Sequence, residues 1–102
     1  MSDHTRFRLA QMETALRKRG LTDIVLEDDR PVTEDKNYDA AATKYWLDAM
    51  TESNQLRVRW TDDRFEIDVY TIEGKLDFQV QHADLDEILN VLSEKGILPK
   101  GN

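Results

Sequence analysis

The 102-residue chain contains no cysteine, only four glycines and two prolines. Without cysteine there is no disulfide, no thiolate metal site and no thiol nucleophile. The glycines, Gly20, Gly74, Gly96 and Gly101, are scattered, so no phosphate-cradling loop is spelled out. No apolar run approaches the length of a membrane span, and the opening residues MSDHTRFRLA lack the apolar stretch of a secretory signal. A cytoplasmic protein is the expectation. His4 and His82 are the two histidines, with no carboxylate at ligand spacing, which argues against zinc. Ser2, Ser53 and Ser93 sit in no nucleophile elbow. The residues therefore predict no enzyme, no cofactor and no metal.

Charge is what the chain has in quantity. Twenty-one acidic residues against 14 basic ones give a net charge of −7, and 34% of the chain is charged. A hydrophobic content of 39% still allows one core, so the reading is a single domain over residues 1–102. The charge is uneven. Residues 1–20 carry five cations and two acids, whereas residues 21–40 carry seven acids and two cations.

The segment from Gln55 to Gln81 has the clearest pattern. Leu56, Val58 and Trp60, then Phe65, Ile67 and Val69, then Leu76, Phe78 and Val80 alternate with polar residues, the signature of half-buried antiparallel strands. A turn at Asp62-Asp63 sets Trp60 opposite Phe65, Val58 opposite Ile67 and Leu56 opposite Val69. It also sets Arg59 opposite Glu66 and Arg57 opposite Asp68. A two-residue turn at Glu73-Gly74 then places Val69 opposite Phe78 and Ile67 opposite Val80. A three-residue loop is rejected here because it would set Val69 against Asp77.

Elsewhere the spacing predicts a helix over residues 3–19, capped by Ser2 or Asp3. Its stripe is Leu9, Met12 and Leu16, widened by Phe7, Ala10 and Ala15, and Gly20 ends it. Residues 22–26 read as a short strand, and residues 27–37 as an acidic loop. Tyr38, Ala41, Ala42, Tyr45, Trp46, Ala49 and Met50 follow helical spacing, which predicts a second helix over 38–51. Asp84 with Glu87 forms a capping box opening a third helix, ended by Gly96 and barred from continuing by Pro99. The fold class is α+β. The expected architecture is a two-layer sandwich with a three- or four-stranded antiparallel sheet, its meander at 55–81 covered on one face by helices, in the order α-(β)-α-β-β-β-α.

Function must then reside in the ionic skin. The candidate partner-binding acids are Glu27, Asp28, Asp29, Glu34 and Asp35 in the acidic loop, with Glu66, Asp68 and Asp77 on the wet sheet face. The loop lacks the alternating ligands, central glycine and terminal glutamate of a calcium-binding EF-hand. The expectation is a non-enzymatic acidic protein-binding module that docks on a basic partner surface, steered by charge. It would bind neither nucleic acid nor membrane directly. A second copy is a further candidate partner, with the positive first helix meeting the negative loop. In size and charge balance the chain is also similar to small acidic inhibitors from mobile elements, of the anti-restriction and anti-CRISPR kind. That likeness implies a nucleic-acid mimic acting on a DNA- or RNA-handling protein. A third alternative is a small enzyme or metal-binding subunit without a recognisable motif. Tyr38, Tyr45, Trp46 and Trp60 read as core before interface.

Overall fold

A computed structural model describes residues 2–29 and 43–98, with side chains from His4 onward. The elements are α1 (Ser2–Lys18), β1 (Ile24–Asp28), β2 (Tyr45–Met50), β3 (Asn54–Thr61), β4 (Arg64–Thr71), β5 (Leu76–His82) and α2 (Leu85–Glu94). Each strand pairs antiparallel with the next, so the sheet order is β1-β2-β3-β4-β5. The class is α+β, as the patterning implies. The sheet has five strands, however, and α1 and α2 are the only helices among the described residues.

The expected helix over 38–51 is the main correction. Its later half is strand β2, and Tyr38, Ala41 and Ala42 lie outside the described residues. In a helix, Leu47 would project away from the stripe made by Tyr45, Trp46, Ala49 and Met50. In the strand, Tyr45, Leu47 and Ala49 share the covered face, and Leu47 and Ala49 are completely buried. Leu47 lies between Leu26 on β1 and Val58 on β3. Burying a leucine fully is worth roughly 1.5–3 kcal/mol. That gain, with hydrogen-bonded neighbours on both sides, outweighs a periodicity that a single segment shows in isolation.

The meander has the expected register. Leu56 faces Val69, Val58 faces Ile67 and Trp60 faces Phe65, while Val69 faces Phe78 and Ile67 faces Val80. Asp62 and Asp63 form the first turn with φ of 53° and 58°, the left-handed pair that a tight hairpin requires. The second turn differs from expectation. Thr71 N–H donates to Lys75 O at 2.7 Å, which closes a three-residue loop, Ile72-Glu73-Gly74, with Gly74 at φ +88°. Tyr70 then pairs with Leu76, and the register shifts between Val69 and Tyr70. Asp77 is the extra residue of a β-bulge, which restores Val69 to Phe78. A three-residue loop is compatible with Val69 opposite Phe78 once the strand carries a bulge.

The core lies between the sheet and both helices. Leu9, Met12 and Leu16 of α1 and Ile88, Leu89 and Leu92 of α2 join Leu47, Leu56, Val58, Phe65, Ile67 and Val69 in one buried cluster. Helix α1 packs on β2 and β3, and α2 packs on β5. Phe7 and Ala10 were expected to widen the α1 stripe, but both are exposed. Both helices stop in the same way. Leu21 N–H donates to Leu16 O and Gly20 N–H to Arg17 O; likewise Ile97 N–H donates to Leu92 O and Gly96 N–H to Ser93 O. This paired pattern caps the last carbonyls and needs a left-handed residue, supplied by Gly20 at φ +99° and Gly96 at φ +78°. At its start, α2 is capped by Asp84, whose Oδ1 accepts the amides of Asp86 and Glu87. The reciprocal half of the box is replaced, because the Asp84 amide donates to His82 Nδ1. The proposed α1 caps, Ser2 and Asp3, and Pro99 lie outside the described side chains.

Candidate interaction surface: the open sheet face and the β1 edge

Both helices lie on one side, and among the described residues the other side of the sheet carries no helix. Cross-strand register lays out its rows. Val25, Asp48, Arg57, Asp68 and Gln79 form one row across all five strands. Met50, Gln55, Tyr70 and Leu76 form the next. The exposed apolar members of these rows are Val25, Met50 and Leu76.

The ionic lattice on this face runs diagonally. The register places Arg57 opposite Asp68 and Arg59 opposite Glu66. Yet Arg57 Nε donates instead to Asp48 Oδ1 at 3.0 Å, and its guanidinium lies over the Trp46 ring at 5.5 Å. The hydrogen bond from Arg57 to Asp48 raises the guanidinium pKa above its ordinary value, against a smaller opposing effect of burial. Arg59 bonds Asp68 and stands 3.9 Å from Glu66. Gln79 donates to both Asp68 and Glu66, and Gln81 donates to Glu66 at 3.1 Å. Asp68 is buried, and its two oxygens are taken by Arg59 and Gln79. Carboxylates held this way form a polar floor with partnered oxygens rather than a bare acidic surface.

The expected site residues thus divide. Glu66 and Asp68 lie side by side within the lattice, and Asp77 is the bulge residue on β5. Glu27 and Asp28 belong to β1 rather than to a loop, and Asp29 follows directly, its Oδ1 accepting the Lys44 amide at 2.8 Å. Glu34 and Asp35 lie outside the described residues. Sequence reasoning missed Asp48 because its segment was read as helix; the available signal was Leu47 flanked by alternating residues. On the basic face of α1, Arg6 lies over Tyr45 at 5.4 Å, Arg8 lies over Trp60 at 4.9 Å, and Arg19 donates to Ser93 Oγ at 2.8 Å. Residues 30–37 of the acidic loop that this face was expected to meet lie outside the described residues. His4 meets Trp60 edge-on at 5.8 Å.

The lattice stops at β2. On β1 the corresponding row position is Val25, 48% exposed, and Leu26 is 40% exposed although it points to the covered face. Met50 N–H donates to Asp23 O and Asp29 N–H to Lys44 O. Alternate residues of an antiparallel strand face the partner, so Asp23, Val25, Glu27 and Asp29 direct their backbone groups to β2. Ile24, Leu26 and Asp28 direct theirs outward. At the far end a groove of about 670 Å³ opens between the helix C-termini and the β2–β3 turn, lined among others by Arg19, Asp23, Glu52 and Ile97. Among the described residues no three histidines or acids gather as metal ligands, and no helix is long and apolar enough to cross a membrane.

No protein-family model, curated protein or solved structure matches the chain.

Proposed function

We propose that the protein is a non-enzymatic binding module that docks a basic partner surface against the sheet face opposite α1 and α2 and the acidic end of β1. The observation that carries this reading is the one-sided placement of α1 and α2, so that among the described residues no helix lies over the ordered, aromatic-bearing opposite face of the sheet. Such a face offers area and shape without requiring the fold to change. The overall charge of −7 supplies long-range steering toward cations, and Asp23, Glu27, Asp28 and Asp29 concentrate it beside β1. Within the lattice, Glu66 and Asp68 contribute geometry more than charge.

The mimic of nucleic acid is favoured less by the same geometry. Two of its central carboxylates are matched by Arg59, Gln79 and Gln81, whereas an imitation of phosphates needs acids that face outward without counter-charges. The test is capture of basic proteins at low and high ionic strength, followed by amide-exchange mapping of the complex. Salt-sensitive binding that protects β1 and the open face is expected. Protection confined to α1 and α2, or binding indifferent to salt, overturns the reading.

A further inference from the structure

We infer that one row of the open sheet face receives helix α1 of a second copy, in a head-to-tail contact. The inference rests on the basic-partner reading above and deepens it by naming the basic surface. The row crosses the sheet near the β2–β3 and β4–β5 turns. Met50 pairs with Gln55, Gln55 with Tyr70 and Tyr70 with Leu76, while the Met50 amide donates to Asp23 O at 3.0 Å. Strands lie about 4.8 Å apart, so Asp23 and Leu76 stand about 19 Å from each other along it. The two ends differ in chemistry. At one end Leu76 is 57% exposed beside the half-buried Tyr70. At the other, Met50 is 40% exposed and shares the wall of the 670 Å³ groove with Asp23 and Glu52. Asp48, Glu66 and Asp68 are held by arginines and glutamines. Among the described residues, the carboxylates of Asp23 and Glu52 have no such partner.

The outer face of α1 carries the matching pattern. Phe7, Thr14 and Lys18 fall on one line of the helix, seven and then four residues apart, with Ala10 beside them. All four are exposed, Phe7 by 59%, and Lys18 makes no ion pair among the described residues. At 1.5 Å per residue, Phe7 and Lys18 stand about 17 Å apart along the axis. A helix laid along the row with Lys18 between Asp23 and Glu52 therefore brings Phe7 to Tyr70 and Leu76. Ala10 and Thr14 cross Gln55 and are small enough to let the helix approach closely. Row and helix lie on opposite sides of the sheet, so two copies cannot satisfy both contacts with each other. The contact is heterologous and propagates along a chain of copies. The −7 on each copy opposes it at long range, and the local pairing of Lys18 with two acids offsets that repulsion. Association is accordingly weak and rises with concentration.

The test follows the mass of the whole chain by sedimentation equilibrium up to about 1 mM. Mass should climb with concentration and not level off at a dimer. Two double variants break opposite sides of the contact. Asp23→Lys with Glu52→Lys alters the row, and Phe7→Gln with Lys18→Gln alters the helix. Each alone should weaken association by at least about tenfold. Mixed in equal amounts they retain one intact row and one intact helix, and should form a dimer that grows no further. Amide exchange of the unaltered chain is the second readout, and needs no variant to fold. Raising the concentration should protect Phe7 to Lys18 together with Met50, Gln55 and Tyr70. A monomer at every concentration overturns the inference, as does a closed dimer. So do variants that associate like the parent, a mixture that stays monomeric, or protection confined to other segments. Failure here with salt-sensitive capture of foreign basic proteins still mapping to the open face removes the second copy alone. Failure of both removes the basic-partner reading as well.

Discussion

At β5 the sheet ends under α2, with Lys95 over the Phe78 ring, glutamines reaching into the ionic lattice, and a bulge bending the strand near its start. At β1 it ends in five residues, of which Ile24 joins the buried cluster while Val25 and Leu26 are exposed aliphatics. The contrast shows where this fold draws its stability and where it leaves surface for other use. Edges that are bulged, covered and polar resist pairing with other chains, and edges that are straight and apolar invite it.

The largest effect expected from this contrast belongs to the β5 side. Leu92→Ala removes a fully buried anchor of α2 and should cost about 2–5 kcal/mol in urea-induced unfolding. A loss comparable to that of a surface substitution would mean that α2 does not hold this edge. Next comes Asp68→Ala, which leaves Arg59 and Gln79 without their shared acceptor and should cost about 1–3 kcal/mol, with faster amide exchange spreading along β5. If exchange accelerates at β1 instead, the lattice is not what distinguishes the two edges. Asp84→Ala deletes the α2 cap and should cost about 1 kcal/mol by thermal unfolding. The smallest effect is Leu26→Ala, expected below about 1 kcal/mol because much of the side chain is already in water. A cost equal to that of Leu92→Ala would show β1 to be integral to the core and would break the comparison.

Much of the sheet was legible because both of its faces carry information. Arg57 with Asp68, and Val58 with Ile67, select the same register, and a slip of one residue would violate both sets at once. The helix ends were legible as well, since Gly20 and Gly96 each precede a residue able to fold back. Residues 45–50 were not legible, because Tyr45, Trp46, Ala49 and Met50 satisfy a helical period, whereas in the strand they divide between the two faces. The deciding contacts come from Leu26 and Val58, both distant in sequence. For the candidate surface, the acids could be located but not their occupancy. Opposite register does not imply bonding, and Arg57 turned to Asp48 because a strand absent from the expected fold stood on its other side.

Asp77 has an effect on heredity as well as on shape. Strand residues N-terminal to it, Leu76 above all, point the opposite way from where an uninterrupted ladder would send them, so Leu76 is 57% exposed beside Tyr70 instead of lying under α2. Deleting this one codon would leave Leu76 opposite Tyr70 and Phe78 opposite Val69 in an unbroken ladder. A lineage can therefore straighten this edge by a single-residue length change while every apolar side chain on β5 keeps its face.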